Sequence, residues 1–166
     1  MKRILALLLV LSAVLALAAC SKTPAVTEDE GTTLVYGSGD YTRINPAMDE
    51  HGEINVLLFS GLTAHNGSNE VVAGLAESWE YDENACTYTF HLRDGLKWSD
   101  GSPLTARDMK ASVDFIKSNK LPRFFDSVKN VRRTETPDDY TLRVVMEGVS
   151  YWDLDNIGGL PCFPQK

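Results

Sequence analysis

The chain has 166 residues, with 16 Lys and Arg against 23 Asp and Glu, and a net charge of −7. That is enough for one ordinary domain and marginal for two, and so acidic a chain excludes a nucleic-acid binder, which needs a basic face for phosphates. At 43% hydrophobic and 9% aromatic residues the sequence is too apolar for intrinsic disorder. Three cysteines without short spacing exclude a zinc ribbon or a disulfide-dense miniature scaffold. The sequence contains no GxSxG, P-loop, HExxH or CxxC pattern, so no motif for catalysis is on offer.

The first twenty residues carry the most specific local signal. Lys2 and Arg3 precede an apolar run from Ile4 to Ala19 that only Ser12 interrupts. As a helix that run is about 24 Å long, short of the ~30 Å hydrocarbon core, so residues 1–19 read as a signal peptide. It ends in Leu17-Ala18-Ala19-Cys20, which resembles the bacterial lipobox, where the cysteine thiol takes a diacylglyceryl group. The alternative is an ordinary signal peptide whose Ala-rich end precedes a cysteine. Residues 20–31 then form the lipidated cysteine and a polar, acidic tether with nothing to bury. Acyl carbons contribute roughly 0.8 kcal/mol per buried CH₂, so such a chain holds its body to a membrane.

The folded part is expected over residues 32–166. Thr33-Leu34-Val35-Tyr36 reads as a strand running into a loop at Gly37-Ser38-Gly39, and Asn45-Pro46 marks a turn. Ile54, Leu57, Leu58 and Leu62 recur at helical spacing, which predicts a short helix over Glu53 to Ser60. Residues 78–98 read as antiparallel sheet. Trp79 and Tyr81 alternate with polar neighbours, Glu83-Asn84-Ala85 turns the chain, and Tyr88, Phe90 and Leu92 alternate again. Asp94-Gly95 and Asp100-Gly101 are two more turns around Leu96-Lys97-Trp98. Thr105 and Asp108 form a capping box for the best helix, whose apolar face is Met109, Val113 and Ile116, and Pro122 ends that segment. A last hairpin has Val128 to Arg133 as one strand, Pro137-Asp138-Asp139 as its turn, and Leu142, Val144 and Met146 on one face of the return. Local hairpins without a βαβ series make the class α+β.

Three segments then resemble a known signature. They are Gly74 to Glu80 (GLAESWE), Thr87 to Trp98 (TYTFHLRDGLKW) and Asp100 to Met109 (DGSPLTARDM). In this order they are similar to the family 5 extracellular solute-binding proteins, receptors of ABC importers for peptides, opines and nickel. Arg43-Ile44-Asn45-Pro46 and Asp49 to Asn55 are similar to a peptide- or nickel-binding branch. The resemblance covers Thr33 to Leu160. It implies part of the first lobe of a two-lobe, type II periplasmic-binding-protein-like fold, incomplete here. The stretch Cys162-Phe163-Pro164-Gln165-Lys166 departs from the family, whose members continue there, so a truncated, frameshifted or fragmentary reading frame is expected; residues Lys120 to Asp126 also form a shorter loop than the family has.

The implied function is capture of peptides, or of nickel or opine complexes, outside the membrane and delivery to an ABC permease, with no catalysis, cofactor, resident metal or nucleic acid. The runner-up is a small acidic surface lipoprotein serving as a protein-interaction module. By analogy the loop Gly37 to His51 faces the cleft, which makes Tyr41, Arg43, Glu50 and His51 candidates. Arg43 suits a carboxylate, and Glu50 or His51 a cation or amine. The alternative is solvated charge for Arg43 and Glu50 and a polar loop residue for His51. Arg123, before Phe124 and Phe125, lies near where nickel-binding relatives hold an anionic complex, while the two phenylalanines read as core. Trp79, Tyr88 and Trp98 read as packing, His65 as an exposed turn residue and His91 as lying on the polar face of its strand. The three histidines have no metal-ligand spacing, and no bridge is expected between Cys86 and Cys162.

Overall fold

The computed structural model describes Gly37, Asn55 and residues 57–164. The chain divides into two units, Met1–Gly39 and Asp40–Lys166, and every element below belongs to the second. The expected leader, tether and first strand, and the loop from Ser38 to His51, lie outside the described residues.

Among the described residues, two antiparallel sheets and three helices are complete enough to bound. Strands β1 (Thr63–His65) and β2 (Val71–Ala73) form a hairpin with Thr63 opposite Ala73. Strands β3 (Ala76–Asp82), β4 (Thr87–Leu92), β5 (Val131–Glu135) and β6 (Thr141–Met146) form a four-stranded sheet in the order β3-β4-β6-β5. The helices are α1 (Ala106–Asn119), α2 (Phe125–Val128) and α3 (Asp153–Gly158). This is the mixed, hairpin-built class that the patterning predicts.

The period-two pattern decides which face of the sheet is covered. Tyr88, Phe90 and Leu92 of β4 are buried, as are Leu142, Val144 and Met146 of β6, while Thr89 and Arg143 point the other way. Trp79 pairs with Phe90 and Tyr81 with Tyr88, so the aromatic residues meet across the strands. The Tyr81 and Tyr88 rings lie 4.4 Å apart. Trp79, Tyr88 and Trp98 all pack on the core. The Asp82 carboxylate accepts from the Asn84 and Ala85 N–H groups (2.9 and 3.0 Å), closing the turn between β3 and β4.

Helix α1 covers the apolar face of this sheet. Met109, Val113 and Ile116 are fully buried at one helical spacing, the stripe expected from the sequence. Thr105 is extended at the N-cap, and Asp108 reaches back so that its Oδ2 accepts from the Thr105 N–H (2.8 Å) and hydroxyl (3.2 Å). The helix ends at Asn119, ahead of Pro122, because Lys120 turns left-handed (φ 48°) and the Leu121 N–H donates to Ile116 O (3.2 Å).

Two boundaries differ from expectation. Val128 closes α2 and is fully buried there, so β5 begins at Val131. Both valines are core residues, and their spacing alone does not distinguish a helix end from a strand. In the expected helix over Glu53 to Ser60, Asn55, Leu57 and Leu58 are helical, but Phe59 and Ser60 are not; the remaining positions lie outside the described residues.

The chain also crosses itself closely at three glycines. A Cβ on Gly61 would sit 2.4 Å from Gly158 O, and one on Gly74 would sit 2.7 Å from Gly61 O. Backbone hydrogen bonds from Leu75 N–H to Gly61 O (2.9 Å) and from Cys162 N–H to Ser60 O (3.1 Å) tie the same three segments together. Cys162, expected in a divergent tail, is thereby placed in the core.

Candidate functional site

Arg123 is the sequence candidate that falls among the described residues. Its side chain is exposed, and the guanidinium lies 5.1 Å from the centre of the Phe124 ring. Phe124 and Phe125 are half-buried and pack on the core, as expected. Tyr41, Arg43, Glu50, His51 and the lipidation candidate Cys20 lie outside the described residues.

Beyond Arg123 the chain enters α2, and a concavity of about 430 Å³ opens between α2 and α3. Asp126, Lys129 and Asn130 line one side, and Trp152, Asp153 and Asn156 the other. Lys129 Nζ pairs with Asp126 Oδ1 at 3.2 Å. Asp153, the first residue of α3, is buried, and its Oδ2 accepts from the Ser150 N–H (2.8 Å), which fixes the carboxylate. Trp152 is 61% exposed, with Tyr151 set edge-on at 5.0 Å. An ammonium, two amides, two carboxylates and an indole face equip this hollow to hold a small polar solute by hydrogen bonds and ring contact.

The outer face of the four-stranded sheet forms a second, shallow concavity of about 470 Å³, lined by Glu80, Asp82, Thr87, Thr89, Arg133 and Arg143 among others. Arg133 Nε donates to Glu135 Oε1 (2.6 Å). Across the strands Arg143 stands opposite Glu135, and threonines or a valine separate the other charges, which suits a polar protein surface rather than an enclosed ligand.

Two nucleophilic side chains, Ser112 and Cys162, are buried. Burial pushes the Cys162 thiol up to about 12, against a smaller lowering by its Ser112 contact. The Ser112 hydroxyl donates to Asp108 O (2.8 Å) and accepts from the Phe163 N–H (2.7 Å). Cys86 and Cys162 are both free thiols. Burial, and then the Asp153 charge, raise the Tyr88 hydroxyl above its ordinary range. Among the described residues no group of three or more His, Cys, Asp and Glu side chains could hold a metal ion.

A contact of His65 and the helix α3 are among the features that escaped the sequence reading. His65 is exposed as expected, but its Nε2 lies 2.9 Å from Asp155 Oδ1 and joins β1 to α3. Helix α3 was also missed, although Ser150-Tyr151-Trp152-Asp153 carries the S-x-x-D spacing of a helix start. His91 lies on the polar face, 4.0 Å from Glu80.

A family model described as bacterial extracellular solute-binding proteins, family 5 Middle, matches residues 70–161. The dipeptide-binding protein of Escherichia coli is 38% identical over 105 residues, 56% of this chain and 20% of that protein. The periplasmic oligopeptide-binding protein OppA of the same organism is 38% identical over 109 residues, 60% of this chain and 19% of that protein. The crystal structure of NikZ from Campylobacter jejuni with Ni(L-His) superposes with a TM-score of 0.68 at 27% identity, over 76% of this chain and 26% of that one. Haemophilus influenzae OppA in complex with RPPGFSPFR gives 0.64 at 27% identity, over 73% and 28%. The chain thus spans about a fifth of the length of these curated relatives. Among the described residues, no helix is long and apolar enough to cross a membrane.

Proposed function

Because the chain belongs to the bacterial extracellular solute-binding proteins of family 5, we propose that it serves as the substrate-binding part of an ABC importer. In this reading it captures small peptides, or nickel or opine complexes, outside the membrane and passes them to a permease. The carrying observation is that the family match over residues 70–161 falls on the folded body itself, from β2 to α3. That body is part of the periplasmic-binding-protein fold.

Capture needs no covalent step. Arg123, steadied by the Phe124 ring, offers a planar pair of donors to a carboxylate or an anionic chelate. Tyr41, Arg43, Glu50 and His51 are proposed as further ligand contacts. Residues 1–19 are proposed as a cleaved leader, Cys20 as the lipid-bearing terminus and residues 21–31 as the tether, which would hold the body on the extracytoplasmic face of a membrane. Acyl labelling of the cell-made protein tests the anchor: Cys20→Ala should abolish the label, and an unchanged label contradicts lipidation.

Thermal unfolding of the full chain, with and without dipeptides, oligopeptides and nickel–histidine, tests capture. A ligand at a hundredfold excess over its Kd stabilises by about 2.7 kcal/mol. A melt that no member of the panel moves contradicts the receptor reading. It favours the second one, an acidic surface lipoprotein that uses the exposed charged face of β3, β4, β6 and β5 to meet another protein.

A further inference from the structure

The turn from β1 to β2 holds a reactive amide that the binding reading does not use. Asn66 Oδ1 accepts from two backbone N–H groups, those of Ser68 (2.9 Å) and Glu70 (3.0 Å). Its Nδ2 donates to Glu70 Oε2 at 2.7 Å. The turn is closed by the Asn69 N–H on Asn66 O (2.9 Å), with Asn69 left-handed at φ 62°. Gly67 follows Asn66 directly, is exposed, and has nothing within 4 Å of where a Cβ would stand.

This arrangement has the parts of an acyl-transfer site. Two fixed donors on a carbonyl oxygen polarise it and stabilise the negative charge that gathers there when a nucleophile adds to the carbon. The nucleophile is adjacent in the chain: the backbone nitrogen of Gly67, unhindered by any side chain. The Glu70 carboxylate already touches the amine that must leave, where it stabilises the positive charge that group gains on protonation.

We infer that Asn66 is a site of self-catalysed deamidation, driven by the folded turn. The Gly67 nitrogen gives its proton to water and bonds to Asn66 Cγ. The Cγ–Nδ2 bond breaks, and the amine takes a proton from water and leaves as ammonia, closing a five-membered imide. One further water opens the ring at either carbonyl, giving aspartate or isoaspartate at position 66. The sum is amide plus water to acid plus ammonia, with no oxidant, metal or partner. The product sets a carboxylate where Nδ2 met Glu70, so a hydrogen bond becomes a like-charge contact and the turn loosens. His65, the preceding residue, then loses the support that presents it to Asp155.

The test is peptide mapping of the full chain after incubation in mildly alkaline buffer, native and in denaturant. Asn66 should convert ahead of every other asparagine and about tenfold faster in the folded chain than in the unfolded one, less than the roughly 10²-fold or more of an enzyme's oxyanion donor because these donors are exposed. Glu70→Gln should slow the native reaction. Gly67→Ala, which has room for its methyl group, should slow it without moving the melting temperature. An Asn66 that stays intact in the folded chain, or converts no faster there than in denaturant, overturns the inference.

Discussion

Gly158 stands so close to Thr63 that a Cβ built on it would lie 2.1 Å from the Thr63 hydroxyl oxygen. The close approach joins β1 to α3, ninety-odd residues later in the chain. Gly158→Ala must therefore push β1 and α3 apart, at a cost of about 1–3 kcal/mol. Thr63→Ala removes both the hydroxyl and the methyl that the new Cβ would strike. Urea denaturation of the two single variants and the double variant should give a non-additive cycle, with the double variant recovering part of the loss.

Helix α1 offers a contrast between adjacent residues. Ile116 is fully buried, whereas Phe115 is 51% exposed. Ile116→Ala should cost about 2–5 kcal/mol, and Phe115→Ala no more than about 0.5 kcal/mol. Equal losses in denaturant titrations would mean that the helix presents another face to the sheet.

The N-terminus of the same helix depends on Thr105 and Asp108. Replacing Thr105 with Ala should cost about 1 kcal/mol. At the other end Lys120 occupies a left-handed conformation that a side chain disfavours. Lys120→Gly should leave stability unchanged or raise it by about 0.5 kcal/mol, the relief of strain being offset by glycine's entropy.

The start and the apolar face of this helix were legible in the sequence because a capping box and a 3.6-residue stripe are local, whereas the left-handed turn at Lys120 that ends it, two residues before Pro122, was not. The β3–β4 hairpin and the return strand β6 were legible for the same reason: alternation of Trp79, Tyr81, Tyr88, Phe90 and Leu92 needs no knowledge of distant partners. The β1–β2 hairpin was not. Its strands have three residues each, too few for a period to repeat. Val128 was misplaced because a single buried valine fits either α2 or a longer β5. The hollow beside Trp152 was beyond sequence reading, since residues 126–130 and 150–156 meet only in the fold. Among the ligand-contact candidates, Arg123 followed from the family resemblance, while its ring contact with Phe124 needed the structure.

The Cys162 thiol makes stability depend on pH in a defined direction. Its ordinary value of 9.0 is raised to about 12 by burial, so above pH 9 the unfolded chain releases a proton that the folded chain keeps. Stability is undiminished on this account below about pH 9 and falls as the pH climbs toward 12, with a limiting slope of about 1.4 kcal/mol per pH unit. Tyr81 and Tyr88, also raised chiefly by burial, add to the loss only above their own ordinary value of 10.0. Cys162→Ala should flatten the curve between pH 9 and 10. An unaltered slope there would mean that the thiol is reached by solvent. Peptide mapping of thiol labelling gives the same answer another way, since Cys162 should label only as the chain unfolds.

The most direct measurement is native mass spectrometry of the full chain purified from cells, before and after addition of dipeptides, oligopeptides and nickel–histidine. The receptor reading predicts a bound small solute that excess ligand exchanges, with Arg123→Ala weakening its retention. A chain that carries no small molecule, and takes up none from the panel, would contradict solute capture.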